Sequence, residues 1–145
     1  MLSISNYKII AIGKIRKKWV KEGIDMYLKR LPGLKVIEIK DSSQIKEEYA
    51  IKELIKKNDT LVTLNEDGQS FTSREFSKKL QDFPNQKIIF VIGGATGLSS
   101  SLNILSDLQL SLSPLTFPHE VSRLLLIEQL YRARSIAQGG PYHKE

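Results

Sequence analysis

A three-layer α/β fold built on a mostly parallel sheet is predicted by two features of the sequence. Short runs rich in β-branched residues alternate with segments of helical apolar period from one end of the chain to the other. Each run is closed by glycine, proline or a turn cluster, so the alternation is punctuated as separate strands and helices. With 145 residues, 41% of them hydrophobic, the chain is long enough for one core. No repeat or low-complexity linker divides it, so residues 1–145 are expected to form a single domain.

The elements follow in order. Tyr7–Gly13 (YKIIAIG) reads as a buried strand ended by glycine. Val20, Ile24, Tyr27, Leu28 and Leu31 recur at helical spacing, and Pro32-Gly33 stops that helix. Val36–Ile39 alternates as a second strand. Ser42 or Ser43 suits the cap of a helix whose apolar face is Ala50, Ile51, Leu54 and Ile55. Thr60–Leu64 is a third strand, with NEDGQS after it expected as a turn. Phe76, Leu80 and Phe83 mark a third helix, with Ser73 as its expected cap and Pro84-Asn85 as its end.

Lys87–Ile92 is the fourth strand, followed by the glycine loop, a short helix over Ser100–Leu105 and a fifth strand around Leu108–Leu112. Pro118 opens a long last helix, roughly His119–Gln138. Leu124–Ile127 are consecutive and point nearly all round that helix. It is therefore either deeply buried or packed on its own sheet and on a partner subunit. In such a fold ligands sit beyond the carboxyl ends of the strands, where the loops Leu64–Ser70, Gly93–Ser99 and Leu112–Pro118 would meet.

Composition narrows the chemistry. The chain has no cysteine and two histidines, which rules out a disulfide framework and a thiolate metal site. No metal is expected. No apolar run approaches membrane-spanning length and the start MLSISNYK lacks a signal-peptide core, so a cytoplasmic protein with no membrane partner is expected. A formal net charge of +6 favours an anionic partner, nucleic acid first.

The stretch VIGGATGLSS (Val91–Ser100) asks what comes close to its backbone. A phosphate loop would need Lys-Ser or Lys-Thr where Leu98-Ser99 stands. A dinucleotide fingerprint would need glycine at position 92, which is Ile92, and would follow the first strand rather than the fourth. Neither nucleotide reading holds. The segment Leu110–Glu120 (LSLSPLTFPHE) lacks regular periodicity. It sets Leu112, Leu115 and Phe117 beside backbone groups suited to a flat heterocycle.

Taken together, IGGATG, LSLSPLTFPH, LLLIEQLYRARSI and the terminal PYHKE resemble the RlmH family, the SPOUT-class methyltransferases of large-subunit ribosomal RNA. The likeness extends to IAIGK, MYLKRLP and VTLNEDG, and so covers nearly the whole chain. The resemblance implies a C-terminal trefoil knot, an exception to the rule against knotted chains. It implies a homodimer that uses S-adenosylmethionine to methylate N3 of a pseudouridine in the decoding-centre stem-loop, in ribosomal RNA of the assembled ribosome. By motif match the cofactor-binding residues would be Leu64, Gly93, Gly94, Leu112, Ser113, Pro114, Leu115, Thr116 and Phe117. The chain departs from the family at Thr96, where an acidic or bulkier residue is frequent, and at Lys144, where some relatives carry arginine.

The reaction is an in-line displacement in which a weakly acidic imide loses its proton, so positioning and a proton-handling group both matter. His119 sits at a helix start, where a plain polar role is expected. His143 and Tyr142 are the candidate catalytic pair: His143 as proton acceptor or base-orienting group, Tyr142 as its stacking partner. Gly139-Gly140 before Pro141 is read as a hinge for this tail. The tail is expected to reach the cofactor loops of a neighbouring subunit. Lys14, Arg16, Lys17 and Lys18 beside Trp19, with Lys144, are the candidate RNA contacts, against the simpler reading of a solvated face. Arg123, Arg132 and Arg134 are left undivided, although Glu128 and Arg132 stand at pairing distance on a helix. The competing function is a non-catalytic basic RNA-binding or ribosome-associated factor on the same scaffold.

Overall fold

A computed structural model describes residues 2–144. Its strands are β1 (Lys8–Ile12), β2 (Lys35–Ile39), β3 (Thr60–Ser70), β4 (Ile88–Ile92) and β5 (Leu108–Ser111). Its helices are α1 (Lys18–Lys29), α2 (Gln44–Glu53), α3 (Ser73–Asp82), α4 (Ser100–Leu105) and α5 (His119–Ala137). The strands form one sheet in the order β2-β1-β4-β3-β5, and every pairing is parallel.

Strand periodicity divides the core into two layers. Ile9 and Ala11 of β1, with Ile88, Phe90 and Ile92 of β4, face α1, α3 and α5. The intervening Ile10, Ile12, Ile89 and Val91 face the opposite side, where Ile51 of α2 and Leu102 of α4 cover them. Both faces of the central strands are therefore buried, which is why β4 reads as an unbroken apolar run.

Helix α5 follows edge strand β5, yet it lies between α1 and α3. The chain must therefore come back across the carboxyl ends of the strands, a course compatible with the trefoil knot. At the α1 contact a Cβ on Gly23 would stand 3.2 Å from a Leu124 methyl. Leu126 and Ile127 are fully buried, whereas Leu124 and Leu125 are only half-buried.

Two local expectations are corrected. NEDGQS is not a turn leaving the sheet but part of β3. Leu64 and Gln69 both pair with Leu110, so Asn65–Gly68 bulges out and the strand then resumes. Asn65 holds the bulge, its Nδ2 donating to Gln109 Oε1 (2.9 Å) and its Oδ1 accepting from Asp67 N (3.0 Å). A side chain at Gly68 would collide with the Gln109 carbonyl oxygen, 2.4 Å from the Cβ position. The α3 cap is Thr72 rather than Ser73. Thr72 Oγ1 accepts from Glu75 N and Glu75 Oε1 accepts from Thr72 N, which satisfies two terminal donors at once.

Candidate functional site

A cleft of about 790 Å³ opens at the carboxyl ends of β3, β4 and β5. Its walls are the three predicted loops: Leu64–Glu66, Gly93–Leu98, and the β5–α5 connection. Of the candidate cofactor residues, Leu64, Gly93, Gly94, Leu112, Ser113, Leu115, Thr116 and Phe117 line it, while Pro114 lies in the same loop outside the lining. Asn65 and Glu66, inside the predicted Leu64–Ser70 loop but not among the candidate residues, also line the cleft, as do His119 and Ser122, which the sequence reading placed outside it. For His119 the signal was its place directly after the enclosing loop; for Glu66 it was hidden by the unforeseen bulge.

The glycines answer first to their own loop. A Cβ on Gly93 would lie 2.8 Å from the Gly97 carbonyl carbon, and one on Gly94 would lie 3.1 Å from Ile12 Cγ2. Gly97 N donates to Gly94 O (3.0 Å), and Gly97 itself adopts φ +72°. The far end of the loop is tied down by Glu48 of α2, whose carboxylate accepts from Ser99 Oγ and, at 2.6 Å, from Ser101 Oγ. These serines and Lys52 hold the Glu48 carboxyl down at about 2, with Lys52 the largest contributor.

Across the cleft, Thr116 Oγ1 donates to Glu66 Oε2 (2.6 Å) and Ser111 Oγ donates to the Glu66 carbonyl (3.0 Å). The bulge of β3 thereby braces the enclosing loop, while Leu115 remains 70% exposed. No lysine or arginine is among the lining residues. Backbone amides and carbonyls, apolar side chains and one carboxylate suit an uncharged heterocycle or a cationic small molecule. They do not suit a polyphosphate. The volume lies in the range of small-molecule and cofactor sites, and the donor set fits S-adenosylmethionine.

The basic loop is anchored beside the cleft. Glu120 in the first turn of α5 accepts from Arg16 N and Lys17 N, both at 3.0 Å. The Lys17 amide is the main reason its carboxyl sits below the usual range. The side chains of Lys14, Arg16, Lys17 and Lys18 are exposed, as is Trp19. The undivided arginines are internal braces. Buried Arg123 donates to Glu38 Oε2 (2.6 Å) and to the Gly13 carbonyl (3.0 Å). Arg134 donates to the Arg30 carbonyl (2.6 Å), and Arg132 pairs with Glu128 (2.6 Å) as the spacing predicted.

The tail lies at the other end of α5. The expected hinge is instead a fixed helix stop. Gly139 adopts φ +70°, Gly140 N donates to Ser135 O (2.8 Å), and a Cβ on Gly140 would stand 2.7 Å from Ser135 Oγ. The chain therefore doubles back onto its own helix. Tyr142 donates to Glu128 Oε2 (2.8 Å), its hydroxyl lies 2.9 Å from Tyr27 Oη, and its ring meets Tyr131 edge-on at 4.7 Å. Burial first, then the Tyr27 and Glu128 contacts, push its phenol pKa up, so it stays protonated. His143 Nδ1 lies 3.0 Å from Arg132 Nη1. The Tyr142 ring carries the Arg132 guanidinium 4.7 Å from its centroid. Lys144 is exposed, and Glu145, the last residue of PYHKE, lies outside the described residues.

Tyr142 and His143 dock on Glu128 and Arg132, nine and thirteen residues along α5 from His119 at the cleft, a rise of roughly 14–20 Å. Within one chain the structure therefore brings the cofactor loops and the basic loop together, but not the tail.

The family model described as a predicted SPOUT methyltransferase matches residues 5–143. The chain is 74% identical over 145 residues, all of both sequences, to ribosomal RNA large subunit methyltransferase H of Prochlorococcus marinus strain NATL1A. It is 51% identical over 140 residues, 97% of each, to the protein of the same name from Synechococcus sp. strain CC9902. Among solved structures, a probable methylase family protein from Haemophilus influenzae Rd KW20 superposes with TM-score 0.61 at 15% identity. That match covers 98% of this chain and 72% of the other. The SpoU methyltransferase AviRb from Streptomyces viridochromogenes, solved in complex with AdoMet, superposes with TM-score 0.50 at 13% identity. Here the coverage is 92% of this chain and 58% of that one. These two likenesses bear on the fold alone.

Proposed function

Since the chain belongs to the RlmH family of SPOUT methyltransferases, we propose that it methylates large-subunit ribosomal RNA, transferring a methyl group from S-adenosylmethionine to N3 of a pseudouridine. The observation that carries this reading is end-to-end 74% identity to a protein named for ribosomal RNA methylation, in a chain whose three loops enclose a cation-free cleft. S-adenosylmethionine supplies an electrophilic methyl on a sulfonium, and a related SpoU fold is known in complex with that cofactor.

The work left to the protein is placement. The folded-back glycine loop offers its backbone, Leu64, Leu112 and Phe117 exclude water around the cofactor, and the Glu66–Thr116 bond holds the enclosing loop in place. Lys14, Arg16, Lys17, Lys18 and Lys144 meet phosphates of the RNA. His143 and Tyr142 face the base. Because they lie far from the cleft of their own chain, the site is composite: the tail of one subunit completes the cleft of the other in a homodimer. The half-buried Leu124 and Leu125 on α5 favour such a pairing, since apolar surface left in water costs about 25 cal/mol per Å².

Ribosomal RNA as target supports a cytoplasmic location in this reading. Among the described residues no helix is long and apolar enough to cross a membrane. No metal takes part in this reading. Among the described residues no three acidic or histidine side chains cluster as ligands, and turnover is expected to persist in a chelator.

The test is incubation with labelled S-adenosylmethionine and ribosomes lacking the modification, alongside free subunits and free RNA. Label at the pseudouridine N3 supports the enzyme. Tight ribosome binding without transfer supports the non-catalytic factor instead.

A further inference from the structure

Arg132 Nη1 and His143 Nδ1 are 3.0 Å apart, and this one contact fixes more than position. A guanidinium offers only N–H donors and does not lose its proton in proteins. Nδ1 of His143 is therefore the acceptor. A neutral imidazole carries a single N–H, so with Nδ1 accepting, the proton sits on Nε2.

The arginine is itself held in place. Its Nε and Nη2 donate to Glu128 Oε2 at 3.2 and 2.6 Å, and the same carboxylate oxygen accepts from Tyr142 Oη. The Tyr142 ring lies against the guanidinium at 4.7 Å. The Glu128 bond also raises the arginine pKa, which keeps the donor charged. Glu128 thus holds Tyr142 directly and His143 through Arg132.

We propose that Arg132, braced by Glu128, is a positioning residue that locks His143 in the Nε2–H tautomer, so that the tail presents a hydrogen-bond donor to the base. This rests on the reading of the tail as the part that faces the substrate. It selects between two roles for His143: the imidazole orients and polarises, and it does not take the proton. An Nε2–H bonded to a carbonyl flanking N3 stabilises the imide anion. The N3 proton leaves to water. The electron pair on N3 then forms the bond to the methyl carbon, while the electrons of the sulfur–methyl bond return to sulfur and S-adenosylhomocysteine departs.

Two measurements test this. Long-range 1H–15N NMR of histidine-labelled protein, above the imidazole titration, distinguishes the tautomers directly. With two histidines in the chain, the His143 signals are assigned by their loss in His143→Gln. The expected pattern is Nε2–H in the wild type and mixed tautomers in Arg132→Ala. The Nδ1–H tautomer in the wild type would overturn the proposal, whatever the protein's activity. The wild-type tautomer is decided whether or not Arg132→Ala folds.

The second measurement is methyl transfer. The glutamine amide N–H stands close to where Nε2–H would be, so His143→Gln should keep kcat within about tenfold of wild type. His143→Ala should fall about a hundredfold or more. A His143→Gln enzyme as inactive as His143→Ala means that the imidazole is the base, and the proposal fails. If the wild type transfers no methyl group to any RNA, it is the assigned function that fails, and the NMR result still decides the tautomer.

Discussion

At its first turn, α5 meets a cleft made of glycine, backbone and apolar side chains. Along its second half, at Glu128 and Arg132, it carries a closed net of side-chain hydrogen bonds. The first end is defined by shape: Gly93 has no room for a Cβ, and no lysine or arginine lines the cleft. The second end is defined by polar geometry, with one Glu128 oxygen serving Arg132 and Tyr142 together. The contrast teaches that the two halves of the proposed site should fail differently. The cleft should fail by steric intrusion with little dependence on salt. The tail should fail by loss of single donors or acceptors.

The largest effect is expected at the cleft. Gly93→Val inserts a β-branched side chain where even the Cβ would stand 2.8 Å from the Gly97 carbonyl carbon. The loop must unfold locally to accept it, so calorimetry should show cofactor affinity reduced about a hundredfold or more. The far-ultraviolet spectrum should remain that of a folded protein, because the clash is confined to a surface loop. Undiminished affinity would break the shape half of the comparison.

A second experiment asks whether the two ends meet only across a dimer. Gly93→Val chains keep an intact tail, and His143→Ala, Tyr142→Ala chains keep an intact cleft. Each variant should be inactive alone. After random subunit exchange at equal concentrations, half of the dimers are mixed, and each has one complete site in a two-fold assembly. About a quarter of the wild-type activity should therefore return. Verified heterodimers without activity would place cleft and tail in one chain and contradict the separation of roughly 14–20 Å along α5.

A third and smaller effect concerns what fixes the basic loop to the cleft end. Glu120→Ala removes the acceptor of the Arg16 and Lys17 amides and should cost about 1–3 kcal/mol of unfolding free energy. The sign with pH follows from the depressed carboxyl. In the folded state its pKa lies below the ordinary 4.5. Its contribution is therefore complete above that value and is lost as pH falls through the folded pKa. The gap between wild type and variant, measured by denaturant unfolding, should be constant near neutrality and close in acid. A gap that widened below pH 4.5 would contradict the assignment.

Much of this architecture was legible because parallel strands buried on both faces leave continuous apolar runs, as at Ile88–Ile92, and because helices such as α1 keep one apolar face. The cleft was legible as three loops but not as a full set of walls. Asn65–Gly68 carries the residues of a chain-reversing turn, and nothing local distinguishes that from a bulge whose strand resumes pairing at Gln69. The Thr72–Glu75 capping box was present in the sequence as TSRE and was read one residue late. The fold-back of the tail was not legible at all. It depends on Tyr27, Glu128 and Tyr131 meeting Tyr142, contacts that join residues up to 115 positions apart. The glycines at 139 and 140 suited both a hinge and a helix stop. Only the close approach of Gly140 to Ser135 decides between them.

The smallest effect sets the cleft against the loop beside it. Lys14, Arg16, Lys17 and Lys18 project from a backbone that Glu120 holds, so their charges sit next to the cation-free cleft without entering it. Binding of a ribosomal RNA stem-loop should then weaken steeply with salt, whereas cofactor affinity should stay nearly flat over the same range. Each phosphate contact contributes about 0.7–0.9 to the log–log slope, so Lys17→Gln should lower the slope by that amount. It should cost roughly fourfold in affinity near physiological salt. Lys18 is a weaker case. Its ammonium lies 4.0 Å from Glu22, and an exposed pair of this kind leaves part of its charge already answered. Lys18→Gln should therefore lower the slope less than Lys17→Gln does. Equal slopes for wild type and all four single variants would make this run a solvated face. A cofactor affinity that fell with salt as steeply as RNA affinity would mean that charge reaches the cleft, and the contrast between shape and charge at this end of α5 would not hold.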